Sequence, residues 1–109
     1  MNPRARYDEI AADLEARDPD VQLGQMMGRP CIKAGGKIIA GYEAKGSMVF
    51  KLPDEGEREK ALALDGAAPF NPMGGGRVMK EWVDVPVAHS ANWAELVDSA
   101  LRLRKVHDA

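Results

Sequence analysis

Two adjacent glycines, Gly35 and Gly36, constrain the fold of this chain more than any other feature. They stand between two short runs of residues typical of β-strands, residues 31–34 and 37–43. A two-residue loop of type I′ needs positive φ at both positions, and glycine adopts that conformation at little cost. The sequence therefore predicts an antiparallel β-hairpin in the first half of the chain.

The second arm of this hairpin has an alternating pattern. Because successive side chains of a strand point to opposite faces, we expect Ile38, Ala40 and Tyr42 on one face and Ile39 and Gly41 on the other. The hairpin then has an apolar face that another layer must cover.

More strands are predicted on either side of a central helix. Met48, Phe50 and Leu52 alternate with other residues, which indicates a third strand with one strongly apolar face. Residues 67–71 and 77–85 predict a second hairpin around a glycine turn, and a proline stops its second strand. Residues 21–27 fit either a loop or a short strand.

Three segments have the features of amphipathic helices. The first carries apolar residues at helical spacing from Tyr7 to Leu14. The second begins at Asp54, an N-cap residue followed three positions later by a glutamate, as in a capping box. The third begins at Asn92 and has an apolar stripe that reaches Leu101.

The predicted order is α-β-β-β-α-β-β-α. Runs of strands between helices favour an α+β fold with an antiparallel sheet covered by helices. The chain has 109 residues, so we expect a single domain over residues 1–109 with a core from about residue 6 to residue 106.

The composition is typical of a globular protein, with 45% hydrophobic and 29% charged residues. No apolar run approaches the roughly 18 residues that span a bilayer, and the first residues are polar. We therefore expect a cytoplasmic protein with no membrane partner. The single cysteine, Cys31, agrees with a reducing compartment, and its expected role is packing. Core packing is also the interpretation of five methionines: Met26, Met27, Met48, Met73 and Met79.

Several short motifs, taken with the element order, resemble the N-terminal domain of the TfoX/Sxy family. Among them are Gly35-Gly36-Lys37, Pro72-Met73 and Glu81-Trp82-Val83, and the likeness extends from about residue 22 to residue 103. The resemblance implies an α+β fold loosely similar to that of the YjbR group. Full-length members are implicated in natural competence, so it also implies a regulatory or accessory domain that binds a partner.

No catalytic set of residues is recognisable, so we expect a non-enzymatic module without a cofactor. We also expect no metal site, because His89, His107 and Cys31 lack the close spacing of metal ligands. The predicted function of the chain is to bind another protein, or a second copy of itself.

The predicted protein-binding site consists of Arg77, Lys80 and Trp82, since tryptophan is enriched in binding hot spots. The alternative is that a helix covers Trp82 and that its indole N–H is hydrogen-bonded.

Two further functions stay open. Residues 21–52 contain five basic residues and one acidic residue, a net charge of +4 in a chain whose overall net charge is −2. This region could bind a nucleic-acid strand weakly through Arg29, Lys33, Lys37 and Arg77, although solvated strand faces explain the same charges. A small-molecule site is the third function, and it requires a deep pocket.

Overall fold

A six-stranded antiparallel sheet organises the protein, here described from a computed structural model over residues 2–71 and 79–107. The strands lie in the order β1-β2-β3-β4-β6-β5. In chain order the elements are α1 (Pro3–Arg17), β1 (Val21–Met26), β2 (Arg29–Ala34), β3 (Lys37–Tyr42), β4 (Met48–Lys51), α2 (Glu55–Leu62), β5 (Ala68–Phe70), β6 (Met79–Val85), a short 3-10 helix (Val87–His89) and α3 (Ser90–His107).

One face of the sheet carries the hydrophobic core. The strand register places Ile32, Ala40, Phe50 and Val83 side by side across four strands, and all of them are fully buried. Helices α1 and α3 cover this row. The helical residues that join the same core cluster are Tyr7, Ile10, Ala11 and Leu14 from α1, Ala61 from α2, and Trp93, Val97, Ala100 and Leu103 from α3.

An irregularity in β3 corrects the predicted alternation. Opposite the junction of Ile32 and Lys33, the pairing with β3 skips one residue, Ile39. In such a bulge two residues on one strand oppose one on its partner, so the faces shift. Ile39 and Ala40 therefore both lie in the core, whereas Ile38, expected to share a face with Ala40, pairs with Lys33 on the opposite face.

Two ion pairs join α3 to the C-terminal end of α1. Arg17 of α1 contacts Asp98 of α3 at 2.9 Å, and Lys105 of α3 contacts Asp18 at 2.6 Å. Exposed pairs of this kind contribute little free energy, so the buried apolar side chains hold the helices to the sheet. Within residues 2–71 and 79–107, no helix is both long and apolar enough to cross a membrane.

The structure confirms the α+β fold, the antiparallel sheet and most of the predicted elements. Gly35 and Gly36 have φ of 58° and 83°, as a type I′ turn requires. Asp54 accepts a hydrogen bond from the Glu57 backbone N–H at 2.9 Å, which confirms the cap.

Two element predictions were wrong or incomplete. The predicted order lacked β1, which forms from the segment that fitted either a loop or a strand, and α3 begins at Ser90 rather than Asn92. The predicted turn at residues 72–78 lies outside the described residues.

Core packing on the helical face leads to a stability prediction. Phe50→Ala should lower the free energy of unfolding by about 3–5 kcal/mol, because it removes a fully buried ring and leaves a cavity. Val87→Ala, at a site that is 42% exposed, should change it by less than about 0.5 kcal/mol. Urea unfolding followed by circular dichroism measures both. Equal effects of the two substitutions would contradict the assignment of the core.

Candidate binding cleft

The face of the sheet opposite α1 and α3 contains a row of small and apolar residues. Cross-strand pairing aligns four of them, one on each of four neighbouring strands: Gly24, Cys31, Gly41 and Val49. Without large side chains along this row, the sheet surface is recessed. Cys31, Gly41 and Val49 form the floor of a cleft with a volume of about 150 Å³.

Aromatic residues from the last two strands form one wall of the cleft. Trp82 of β6 is half-buried, and its ring centroid lies 6.4 Å from that of Phe70 in β5, with the planes tilted by 54°. This distance and tilt are within the range of favourable aromatic pairs. Met79, which begins β6, extends the same wall.

The tip of the β1–β2 hairpin forms the other wall. Met26 and Met27 both line the cleft, and their exposed fractions are 47% and 83%. Met27 has φ of 54°, and Gly28 follows with φ of 79°. The left-handed region is unfavourable for a bulky side chain, so this turn holds an exposed methionine at a conformational cost.

An ion pair joins the two charged residues that line the cleft. The Arg29 guanidinium contacts the Glu43 carboxylate, and both residues line the cleft. Asp84 is the cross-strand partner of Val49 in β6, and its carboxylate forms an ion pair with the Lys45 ammonium at 2.7 Å. The interior of the cleft is therefore apolar, and charge is confined to its margins.

Cys31 is the thiol on the cleft floor. Burial raises its pKa, and the nearby Lys33 ammonium opposes that shift only in part. A raised pKa keeps the thiol protonated at neutral pH, and the protonated form is a poor nucleophile. Cys31 therefore acts as a small apolar residue here, although it lies on the cleft side of the sheet and outside the main core cluster.

A second indentation lies between the start of β3 and the end of β4. It has a volume of about 210 Å³ and reaches the C-terminal half of α3. Lys37, Lys51, Glu81 and Arg104 are among the residues that border it. With charged groups at its margins, it offers less apolar surface than the cleft on the open face.

The structure describes two of the three residues of the predicted protein-binding site, Trp82 and Lys80. Trp82 lines the cleft, on the face of the sheet opposite α1 and α3. The residues that line the cleft with Trp82 belong to strands and the turns next to them, and none of those named belongs to a helix. Lys80 is exposed on β6, beside the residues that form the wall. Arg77 lies outside the described residues.

The basic residues predicted to bind nucleic acid do not form one surface. Arg29 is engaged with Glu43. Lys33 pairs with Ile38, whereas Lys37 pairs with the buried residue Ala34, so Lys33 and Lys37 lie on opposite faces. The fourth residue of this set, Arg77, is not described.

Three methionines that were predicted to pack in the core are exposed instead. Met48 is fully buried, as predicted, but Met26, Met27 and Met79 are exposed by 40% or more. Sequence reasoning missed Met26 and Met27 as cleft residues because it left residues 21–27 open between a loop and a strand. A pairing of β1 with β2 around a Met27–Gly28 turn would have placed Met26 and Met27 at a hairpin tip.

His, Cys, Asp and Glu side chains are the usual protein ligands of a metal ion. No group of three or more His, Cys, Asp or Glu side chains within the described ranges is close enough to hold a metal ion. His89 contacts the backbone oxygen of Asp65 at 2.7 Å. Neither residue is among those that line the cleft.

Three comparisons with known proteins were negative: no family model, no curated protein and no solved structure matches this chain. The resemblance to the TfoX N-terminal domain thus stays a prediction from the sequence.

The environment of Cys31 predicts a dependence of stability on alkaline pH. In the unfolded chain the thiol ionises near its ordinary pKa of about 8.5, whereas burial keeps it protonated to a higher pH in the folded protein. The stabilisation is complete below the unfolded pKa and is lost as the pH rises through the folded pKa. Tyr7, whose pKa is also raised mainly by burial, adds a loss of the same sign at higher pH.

The matched variant is Cys31→Ala, which lacks the titrating thiol. Urea unfolding between about pH 7 and about pH 10 should show that wild type loses stability faster than the variant, so the difference between them changes with pH. A difference that stays constant over this range would contradict the buried position of the thiol.

Proposed function

We propose that this chain is a non-enzymatic module that binds another protein by holding an apolar side chain of that partner in the cleft beside Trp82. One observation carries this proposal. The half-buried rings of Trp82 and Phe70 form one wall of an apolar cleft. This cleft lies on the face of the sheet that α1 and α3 leave uncovered.

The size of the cleft favours a protein side chain over a free small molecule. Sites for drug-sized ligands have volumes of roughly 300–1,000 Å³, whereas this cleft has about 150 Å³. A cavity of about 150 Å³ holds a molecule of the size of benzene. One aromatic or large aliphatic side chain therefore fills it, and the rest of the partner then lies across the surrounding surface.

The residues of the walls suit this role. Tryptophan is enriched among the residues that dominate binding free energy. Methionine is flexible and polarisable, so Met26, Met27 and Met79 can adapt to an inserted side chain. The two-residue turn between β1 and β2 requires positive φ at Met27 and Gly28, and a methionine at this position puts a large apolar side chain on the cleft wall.

The family resemblance supplies the cellular context of the proposal. A TfoX-like N-terminal domain implies a regulatory or accessory protein of the cytoplasm, in which binding a protein partner is the activity. The protonated, buried thiol of Cys31 on the cleft floor fits binding better than nucleophilic catalysis.

Nucleic-acid binding is the alternative proposal. Its support is a tryptophan with a lysine, Lys51, as its cross-strand neighbour, since bases stack on aromatic rings beside basic groups. The ion pair of Arg29 with Glu43 and the opposite orientations of Lys33 and Lys37 give it less support than the protein-binding proposal has.

Two substitutions test the cleft as a protein-binding site. Trp82→Ala removes a wall, and Gly41→Leu fills the cleft from its floor, where a Cβ would meet its nearest neighbours at an ordinary 3.5 Å. Both should reduce capture of the partner from a lysate of the source cells by about ten-fold or more, since hot-spot truncations cost about 2 kcal/mol. Quantitative mass spectrometry of the captured proteins measures the effect.

The control is Val87→Ala, which truncates an exposed apolar residue that is not part of the cleft. It should leave capture unchanged, and circular dichroism should be the same for all variants. Capture that survives both cleft substitutions would refute the proposal, and capture that disappears on nuclease treatment would favour the nucleic-acid alternative.

A further inference from the structure

Two lysines lie next to residues of the apolar cleft, and neither has a carboxylate within ion-pair distance among the described residues. The first is Lys33, two positions after Cys31 on the same face of β2. A Cβ built on Gly24 would lie 3.9 Å from both the Lys33 Nζ and the Cys31 Sγ. The Lys33 ammonium therefore lies beside the cleft floor.

The second is Lys51, the cross-strand neighbour of Trp82. Side chains of directly opposed residues lie on the same face, with Cβ atoms about 4.5–5.5 Å apart. Lys51 is half-buried and borders the second indentation, so it lies at the edge of the sheet between that indentation and the tryptophan wall of the cleft.

The carboxylates on this face already have cationic partners. Glu43 is paired with Arg29, and Asp84 is paired with Lys45. The two uncompensated lysines therefore give the surface around the cleft a positive excess, although the whole chain has a net charge of −2. An apolar recess with positive charge at its margin is complementary to an apolar group flanked by negative charge.

We propose that the cleft recognises an acidic protein segment, in which one apolar anchor side chain enters the cleft and neighbouring Asp or Glu side chains pair with Lys33 and Lys51. This inference rests on the proposed protein-binding function and names the chemistry of the partner. The apolar anchor supplies most of the affinity, and the ion pairs select acidic segments over neutral and basic ones.

Three synthetic peptides test this inference on the full chain. Each has a central phenylalanine, blocked ends and two flanking residues on each side, which are all Glu, all Gln or all Lys. Binding is followed by NMR through the indole N–H signal of Trp82. The indole signal of Trp93, which is fully buried in the core, is the internal reference and should not move.

The Glu-flanked peptide should bind about three- to ten-fold more tightly than the Gln-flanked peptide, because two partly exposed ion pairs each contribute a few-fold. The Lys-flanked peptide should bind most weakly. Added salt should reduce these differences, since mobile ions screen exposed charges.

Matched variants assign the effect to the two lysines. The double substitution Lys33→Gln and Lys51→Gln should remove the preference for the Glu-flanked peptide and leave the affinity for the Gln-flanked peptide unchanged. Lys37→Gln is the control, because Lys37 lies on the opposite face of the neighbouring strand, and it should retain the preference.

Different outcomes of these experiments contradict the acidic-partner inference and the proposed protein-binding function. Equal affinity of wild type for the Glu- and Gln-flanked peptides would overturn the acidic-partner inference and leave the cleft as an apolar site. If none of the peptides moves the Trp82 signal while Trp82→Ala still abolishes capture, the inferred segment is wrong. A single-stranded oligonucleotide that moves the Trp82 signal when no peptide does would overturn both proposals.

Discussion

One extra residue in β3 determines which side chains face the core and which face the cleft. The pairing of β2 with β3 skips Ile39, so that Ile39 and Ala40 both contribute to the core. After this bulge, Gly41 aligns with Cys31 on one side and Val49 on the other. Regular alternation would have sent Ile39 to the open face and Ile38 to the core. The shift lets a continuous core and a recessed opposite face share a single sheet.

The two faces of the sheet have different physical roles. On the core face, large side chains such as Phe50 and Trp93 are fully buried and account for most of the stability. On the open face, the small floor residues leave a recess, and methionines and the Trp82–Phe70 pair surround it. The unfavourable φ of Met27 belongs to this second face. Strained positions often mark functional sites, and this one lies at the rim of the proposed binding cleft.

Sequence patterns predicted the features that depend on local chemistry. The Gly35–Gly36 turn and the Asp54 cap each depend on a few adjacent residues, and both are confirmed. The bulge at Ile39 could not be predicted in this way, because it depends on which residues of β2 face β3 across the hairpin. The cleft depends in turn on that register. Trp82, predicted from its type and position as part of a protein-binding site, lies in the cleft, but the methionines that face it were assigned to the core.

We propose that the apolar cleft on the open face accepts one side chain of a partner beside Trp82. The most direct test of this proposal is an NMR measurement of intermolecular nuclear Overhauser effects between the protein and benzene, a probe of about the volume of the cleft. We expect contacts from benzene to the Val49 methyl groups and the Trp82 ring, and none to Trp93. Contacts only with core residues, or no contact with Val49 and Trp82 at saturating benzene, would contradict the proposal.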